Sequence, residues 1–411
     1  MNKKILLIII TAFLLQACMQ QVNVKNDTDR ITLMVYMAAD NDLESYALMN
    51  LKEMEKAASN KVKTLVLLDR SEGFDETDGN WTDTRLFEVL PGSAGSLRLD
   101  CPVLGLSSDF QTELDMSNYT VLKNFVEYTK AAYPARHYAL IIWGHGTGWR
   151  YGEAAGDCPQ VNRAVAIDDK TQSYMSLHNL GLALKDQGLD LIGFDTCFGG
   201  TFENVYELKD CASYTVASPG LTPGAGWDYK NLLEEMNKCN YASASSGMEL
   251  AQCMQKASAA KATIFDNSRL DSVMKDLENF ARELASTITD SQSRQKVLDS
   301  LLECKSYSYV QFPCDMYLDI FSMAQSFALD SRPELAAAAE KLRMETAGLE
   351  TGLYFIPRLS YFTMAASHST AYLKDDAQKD QCSFVKQSSW WVPTISGNSG
   401  SLLDKLFYTV F

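Results

Sequence analysis

The sequence lacks the features that mark a membrane-spanning or a nucleic-acid-binding protein. Its longest apolar run, Ile5 to Leu15, is too short to cross a bilayer, and no other run reaches that length. Positive charge is scarce: 37 Lys and Arg stand against 52 Asp and Glu, the formal net charge is −15, and no basic patch is visible. Nucleic acids are therefore not expected as partners, because binding them requires clustered positive charge.

Metal-binding sequence patterns are missing as well. Apart from Cys18 and Cys197, eight cysteines are scattered along the chain without a CxxC pair or a His/Cys cluster, so no metal site is predicted. An even number permits disulfides in an exported protein, but a chain of this length does not need them. We expect most of these thiols to be free and buried. They belong to Cys101, Cys158, Cys211, Cys239, Cys253, Cys304, Cys314 and Cys382.

The N-terminus has the pattern of a bacterial lipoprotein signal. Met1–Lys4 is basic, the apolar run follows, and Leu15-Gln-Ala-Cys18 closes it with a small residue directly before a cysteine. This pattern predicts a signal peptide over residues 1–17, with Cys18 as the lipidated first residue of the exported protein. The alternative is an ordinary cleavage site with an incidental cysteine.

Residues 18–30 are polar and are predicted to form a linker between the lipid and the folded part of the chain. The protein is then expected in the bacterial cell envelope, either periplasmic or on the cell surface. Its attachment to the membrane would be through the lipid alone.

The remaining chain divides by pattern into two parts, residues 31–268 and residues 269–411. The first part alternates apolar strands with helices, which is typical of an α/β fold. The second part changes to amphipathic helices, which predict a mainly helical C-terminal subdomain. Its predicted elements are the helices Leu270–Leu284, Arg294–Leu302, Met316–Phe327 and Pro333–Ala347, and strand-like pieces at Gly352–Ile356 and Tyr361–Ala365.

Two of the predicted strands run into reactive side chains flanked by glycine. The strand His137–Trp143 is followed by Gly144-His145-Gly146, and the strand Leu189–Phe194 by Asp195-Thr-Cys197-Phe-Gly-Gly. Ligands of α/β sheets bind at the carboxyl ends of parallel strands, so the two side chains are expected to meet there. Either residue alone is more commonly structural, but together they indicate a thiol nucleophile with its base.

These motifs resemble those of the clostripain family of cysteine peptidases, a branch of the caspase–gingipain–legumain clan. The likeness rests on Trp143–Gly146, Phe194–Gly200, Leu33–Leu43, Ser218–Pro219 and Pro223–Tyr229. The resemblance implies a caspase-like three-layer αβα sandwich with a mostly parallel central sheet, to which the helical C-terminal subdomain is added. It also implies a cysteine endopeptidase.

The resemblance assigns roles to the reactive residues. Cys197 attacks the scissile carbonyl, and His145 acts as general base toward the thiol or protonates the leaving amine. The backbone N–H groups of Gly146 and Cys197 are the expected oxyanion donors, since glycine lets the backbone approach a substrate closely. No third catalytic residue is identified, in keeping with a clan that works largely with a dyad.

Two acids are candidates for substrate binding. Asp195 lies two residues before Cys197, so on a strand both side chains point to the same side. The resemblance places the matching acid in the pocket for the residue on the acyl side of the scissile bond, so cleavage after Arg or Lys is expected. Asp228 is a second candidate. The alternatives are a turn-capping role for Asp195 and, more strongly, a helix N-cap at Asp228.

Activation and calcium are also implied by the resemblance alone. Family members are commonly zymogens that are cut after a basic residue between the His and Cys strands, for which Arg163 is the first candidate and Arg150 the second. Some members need calcium, so calcium is allowed as a cofactor although nothing in the sequence requires one. The acidic pieces Asp75–Asp78 and Asp168-Asp169 offer oxygen ligands but match no calcium-loop pattern.

The combined expectation is a monomeric, lipid-anchored cysteine endopeptidase whose protein or peptide substrates carry Arg or Lys. One alternative is a catalytically silent surface lipoprotein that uses the same fold as a binding module. Another is a hydrolase or transferase of other substrates that uses Gly144–Gly148 as an oxyanion or phosphate loop. That glycine string lacks the lysine of a phosphate-binding loop and the spacing of a dinucleotide fingerprint.

Overall fold

The structure is a computed structural model that describes most of the chain from residue 30 onward. The described residues are 30–92, 95–146, 148, 165–241, 246–258, 262–307, 315–347, 361–365, 402 and 405–406. The predicted signal peptide, the linker with Cys18 up to residue 29 and both candidate processing sites, Arg150 and Arg163, lie outside them. So does the predicted strand Gly352–Ile356. Every helix in the described part is too short or too polar to span a membrane.

An eight-stranded sheet with five parallel inner strands forms the centre of the fold. The strands in the described part of the chain are β1 Ile31–Ala39, β2 Val62–Arg70, β3 Thr84–Val89, β4 Ser96–Leu99, β5 His137–Trp143, β6 Val165–Asp168, β7 Ser173–Met175, β8 Leu189–Asp195, β9 Ala212–Ala217, β10 Thr263–Asp266, β11 Lys305–Tyr307, β12 Asp315–Asp319 and β13 Tyr361–Ala365. The order in the large sheet is β10-β9-β8-β5-β1-β2-β3-β4. The run from β9 to β2 is parallel, and β10, β3 and β4 pair antiparallel with their neighbours.

The inner strands are apolar throughout because both faces of the sheet are covered. All nine residues of β1 are buried. Along it Met34, Tyr36 and Ala38 join the hydrophobic core on one face of the sheet, whereas Val35 and Met37 join the core on the other. A strand of a parallel sheet therefore reads as a continuous apolar run, with its two faces alternating at a period of two residues.

Helices cover both faces of the sheet and complete three layers. They are α1 Glu44–Ala57, α2 Tyr119–Ala132, α3 Leu177–Leu184, α4 Phe202–Glu207, α5 Tyr229–Met236, α6 Ser246–Ala257, α7 Leu270–Ser286, α8 Ser291–Glu303, α9 Ile320–Phe327 and α10 Pro333–Ala347. α1, α5 and α6 bury their apolar residues in one core, and the other helices contribute to the second. The predicted αβα sandwich with a mostly parallel sheet is confirmed.

The C-terminal helices α7 to α10 share the second core with the sheet, through residues such as Leu277, Phe280 and Leu342. The division at residue 269 stays a prediction. One predicted element there is wrong: the stretch Met316–Phe327 is not a single helix. β12 pairs with β11 and β13, and helix α9 begins only after Asp319, whose Oδ1 accepts the N–H of Phe321 at 2.9 Å. This N-cap fixes the start of the helix, and pairing between strands determines the conformation before it.

Candidate active site

His145 and Cys197 follow the ends of neighbouring parallel strands. Trp143 at the end of β5 is paired with Asp195 at the end of β8, and each reactive residue lies two positions further along its chain. Both line one cavity of about 250 Å³. Its other lining residues are Leu43, Trp143, Gly144, Asp195, Thr196, Thr222, Pro223, Gly224 and Gly226. The structure therefore brings together the thiol and the imidazole that the sequence analysis singled out.

Glycines allow the two catalytic turns to pack closely. Gly144 has φ +134°, and a Cβ there would lie 2.8 Å from the carbonyl oxygen of Ala38 on β1. At Gly146 a Cβ would lie 2.5 Å from the carbonyl oxygen of Cys197. Since real Cβ atoms do not approach oxygen so closely, a larger residue at either position would displace the histidine turn from the cysteine turn.

The thiol of Cys197 is held by the turn that follows β9. The backbone N–H of Thr222 donates to Sγ at 3.3 Å, and the thiol donates to the carbonyl oxygen of Thr222 at 3.6 Å. Burial raises the pKa of the Cys197 thiol, the Thr222 N–H opposes this, and the charge of Asp195 adds to it. A thiol with a raised pKa is mostly protonated at neutral pH, so it needs a base before it can act as a nucleophile.

His145 has a carboxylate partner that the sequence analysis did not identify. Its Nε2 lies 2.6 Å from Oδ1 of Asp42, in the turn between β1 and α1. Because a carboxylate accepts hydrogen bonds, Nε2–H donates, and the neutral ring keeps its lone pair on Nδ1 for proton transfer. The sequence analysis identified no third catalytic residue, and in the structure Asp42 is the side chain that holds the His145 ring. The sequence position of Asp42 could have indicated this contact, because Asp42 closely follows β1 and β1 is the neighbour of β5 in the sheet.

Asp195 lines the cavity but is enclosed by protein. Its Oδ2 accepts hydrogen bonds from the backbone N–H of Trp227 and from the hydroxyl of Tyr229, each at 3.0 Å. Its Oδ1 is buried without a hydrogen-bond partner among the described residues. Burial raises the pKa of Asp195 to about 7, against the two hydrogen bonds, and nearby Glu53 raises it further. No Lys, Arg or His of the described part forms an ion pair with it.

Asp228 has a structural role. Its Oδ1 accepts the backbone N–H of Asn231 at 2.8 Å and caps helix α5, and its side chain does not line the cavity. The structure thus shows the helix N-cap that the sequence analysis favoured. A part for Asp228 in substrate binding stays a prediction.

The two acidic pieces considered as sources of calcium ligands have different surroundings. Asp75 caps its own turn by accepting the N–H of Thr77, and Asp78 pairs with Lys52. Asp168 is instead buried at the end of β6, close to two acids from elsewhere in the chain. Those acids, Asp40 and Asp69, were not singled out from the sequence.

Comparison with known proteins identifies the family. The model of the clostripain family, peptidase family C11, matches residues 35–381, which is most of the chain. The chain belongs to the clostripain family of cysteine peptidases. Clostripain of Hathewaya histolytica is 30% identical over 233 residues, which are 52% of this chain and 43% of clostripain. The chain thus spans less than half the length of that relative.

Two solved C11 structures have the same fold. A secreted C11 cysteine protease from Bacteroides thetaiotaomicron, in complex with an irreversible peptide inhibitor, matches with a TM-score of 0.53 and 19% identity over 83% of this chain and 88% of that one. An inactive zymogen C11 protease from Parabacteroides distasonis matches with a TM-score of 0.60 and 17% identity over 88% and 98%. At this identity the likeness shows the fold, and it agrees with the predicted caspase-like architecture.

Proposed function

We propose that this protein is an exported cysteine endopeptidase that uses Cys197 and His145 and cleaves after Arg or Lys. One observation carries the proposal. The cavity that holds the thiol and the imidazole also has the buried carboxylate of Asp195 in its wall, with one oxygen unpartnered among the described residues. A nucleophile, its base and a site for a cationic side chain are thus within one small space.

The catalytic cycle follows from the roles of these groups. His145 takes the proton of Cys197, and the thiolate attacks the scissile carbonyl carbon to form a tetrahedral intermediate. The backbone N–H groups of Gly146 and Cys197 stabilise its oxyanion. The C–N bond then breaks as His145 protonates the leaving amine, which leaves a thioester. Water, deprotonated by His145, hydrolyses the thioester and restores the thiol.

Specificity for a basic side chain follows from the state of Asp195. The Asp195 carboxylate is already buried in the free protein. Its desolvation free energy therefore belongs to folding and does not weaken substrate binding. An entering guanidinium or ammonium supplies the charge and the donors that Oδ1 lacks. A neutral side chain of the same shape cannot do so.

Self-cleavage between the His and Cys strands is part of the proposal, at Arg163 first and Arg150 second. The two described ends of the intervening segment lie next to each other, because Gly146 forms a β-bridge with Val165. Both described ends are therefore next to His145, which directly precedes Gly146 and lines the cavity. The relative from Parabacteroides distasonis is described as an inactive zymogen, which supports a precursor form.

Export rests on the N-terminal pattern and on a relative from Bacteroides thetaiotaomicron described as secreted. Lipidation of Cys18 would hold the protein at the membrane. Replacing it (Cys18→Ser) should release the protein into the soluble exported fraction, measured by fractionation of cells that express the full chain. Unchanged membrane association would mean that another part of the chain anchors it.

Covalent labelling tests the catalytic proposal directly. A peptidyl acyloxymethyl ketone that ends in Arg should label the wild type at Cys197, and a probe that ends in citrulline, the neutral isostere of Arg, should not. Labelling should be lost in Cys197→Ala and strongly slowed in His145→Ala. N-terminal sequencing of any processed fragment should find a start between Tyr151 and Thr171. A folded wild type that no probe labels would instead support the silent lipoprotein.

A further inference from the structure

Three aspartates from distant segments converge near the cavity. Asp40 directly follows β1, Asp69 is on β2 and Asp168 ends β6. One carboxylate oxygen of each lies within 4.8 Å of the others. Their exposed fractions are 2%, 0% and 1%, so all three are buried. Like charges this close and this deep repel one another unless something neutralises them.

Among the residues that the structure describes, these carboxylates accept hydrogen bonds from neutral groups alone. Thr84 Oγ1 donates to Asp69 Oδ1 at 2.7 Å, and the backbone N–H of Lys170 donates to Asp40 Oδ2 at 2.9 Å. Asp168 accepts two backbone N–H groups, at 2.8 and 3.2 Å. The other oxygen of Asp69, Oδ2, is buried and has no hydrogen-bond partner among the described residues. A buried carboxylate oxygen without a donor points to a missing ligand.

The neighbouring side chains do not neutralise the negative charge of the three aspartates. Lys170 is a cation close enough to interact with Asp40 and Asp69, but its Nζ pairs with Glu113 Oε2 at 2.8 Å. No Lys or Arg in the described part of the chain forms an ion pair with Asp40, Asp69 or Asp168. The carboxylate of Glu113 adds a further negative charge that interacts with Asp69.

We propose that Asp40, Asp69 and Asp168 bind a divalent cation of the hard, oxygen-preferring class. The donor set contains no nitrogen or sulfur, which such cations disfavour. Ca²⁺ binds oxygens at about 2.3–2.6 Å, so two of its ligands lie up to about 5 Å apart. The three carboxylate oxygens, which all lie within 4.8 Å of one another, are within that range. Mg²⁺ binds at about 2.0–2.1 Å and would draw them closer together.

The site is joined to the catalytic histidine by a short stretch of chain. Asp40 is two residues from Asp42, whose carboxylate binds His145 Nε2. The intervening Asn41 donates through Nδ2 to the carbonyl oxygen of Ile167, next to Asp168. A cation that ties Asp40 to Asp168 would therefore hold the turn that positions His145. This consequence rests on the proposed peptidase function, whereas cation binding does not.

The test is a titration of the full chain carrying Cys197→Ala, which prevents self-cleavage and makes the readout independent of activity. After removal of metals with EDTA, Ca²⁺ or Mg²⁺ is added while heat of binding and thermal unfolding are measured. We expect saturable binding of one ion and a rise in Tm of at least about 3 °C at saturation. Tighter binding of Ca²⁺ than of Mg²⁺ would identify the ion that the spacing favours.

Isosteric variants locate the site. Asp69→Asn and Asp168→Asn should abolish both the heat and the shift in Tm, and the metal-free Asp69→Asn protein should unfold at the same temperature as its parent or higher, because a buried charge is removed. Asp75→Asn, at an acid outside the cluster, is the control and should respond like the parent. Absence of any response to millimolar Ca²⁺ and Mg²⁺ would overturn the proposal, and so would an unchanged response in Asp69→Asn.

A separate measurement tests the link to His145. In the active wild type, removal of the cation should lower kcat at least tenfold with little change in KM, whereas Asp69→Asn should be insensitive to its removal. If the wild type has no peptidase activity under any condition, the proposed function fails while the titration of Cys197→Ala still decides cation binding.

Discussion

Trp143 and Asp195 are paired residue for residue across β5 and β8, and this register places His145 and Cys197 at the same edge of the sheet. The indole of Trp143 is itself held, because its Nε1–H donates to Asn50 Oδ1 on helix α1 at 2.9 Å. The geometry of the candidate dyad is thus set by strand pairing and by a helix behind it.

Replacing the nucleophile should remove activity and leave the fold intact. We expect Cys197→Ala to lower kcat for basic peptides by roughly 10⁴-fold or more, since the thioester can no longer form. Circular dichroism and Tm should be nearly unchanged. Cys211→Ala, at a buried cysteine far from the cavity, is the matched control: it should keep its activity and lose some stability. Normal turnover in Cys197→Ala would disprove the mechanism.

Asp42 should act by positioning His145. Asp42→Asn removes the negative charge beside Nε2 and places an NH2 donor where a second acceptor oxygen was, so His145 is held less firmly in one tautomer. We therefore expect kcat to fall by about 10–100-fold with KM almost unchanged. Asp42→Glu restores a carboxylate and should recover part of the loss. Asp109→Asn, in an exposed loop elsewhere, should have no effect. A rise in KM at constant kcat would show that Asp42 contacts the substrate instead.

The preference for Arg should depend on pH through Asp195. With a pKa of about 7 in the free enzyme, the carboxylate is mostly neutral at pH 6 and mostly charged at pH 8. The kcat/KM for an Arg substrate, divided by that for the citrulline analogue, should therefore rise about tenfold between these pH values. Titration of the thiol and the imidazole changes kcat/KM for both substrates by the same factor, so it cancels in this ratio.

Two variants check this prediction, and each replaces one acid of the wild type by its amide. Asp195→Asn should make the ratio flat and lower kcat/KM for Arg by about a hundredfold or more. Asp228→Asn is the matched control, because Asn caps a helix as well as Asp does and the cavity stays unchanged. If Asp228→Asn removes the preference while Asp195→Asn keeps it, the specificity residue is Asp228.

The same carboxylate should make stability depend on pH. Its pKa is raised from 3.8 in the unfolded chain to about 7 in the folded protein, so the folded state holds a proton that the unfolded state has lost. The free energy of unfolding should therefore fall as pH rises from about 4 to about 7, by up to about 4 kcal/mol. Urea unfolding of Cys197→Ala with and without Asp195→Asn isolates this effect. Parallel curves for the two proteins would contradict it.

Two cysteines outside the cavity lie close enough to be oxidised together. Cys239 Sγ and Cys253 Sγ are 3.4 Å apart, and both thiols are free. With oxidised glutathione as the oxidant, we expect a disulfide, with loss of two protons and two electrons and a mass lower by about 2 Da. The closed loop is short, so stability should rise by roughly 3 kcal/mol. Cys253→Ser should prevent the change in mass and in Tm.

Much of the fold was predictable because short apolar runs such as Ile31–Ala39, alternating with helical patterns, are typical of strands that are covered on both faces. The pairing of His145 with Cys197 could also be expected, since both follow strand ends next to glycines. β12 could not, because the spacing of Met316 and Leu318 leaves its conformation open and its partner strands decide it.

The partner of His145 and the aspartate cluster were missed for a different reason. Asp42 faces the imidazole only because the turns after β1 and β5 lie side by side, and the direction of a side chain is not readable from spacing. Asp40, Asp69 and Asp168 are far apart in the chain and share no motif. They lie close together because of the order of the strands in the sheet and because the β6–β7 pair packs beside it.

The strand order also sets what a break in the chain would do. On one side of the β5–β8 pair are β1 to β5, and on the other are β8 to β10, so the two halves of the sheet come from consecutive stretches of the chain. His145 belongs to the first stretch and Cys197 to the second. Hydrolysis at Arg150 or Arg163 would therefore turn an intramolecular dyad into one shared by two polypeptides. Five paired residues of β5 and β8 and both cores would still join them, so the enzyme would become a heterodimer that separates only on denaturation.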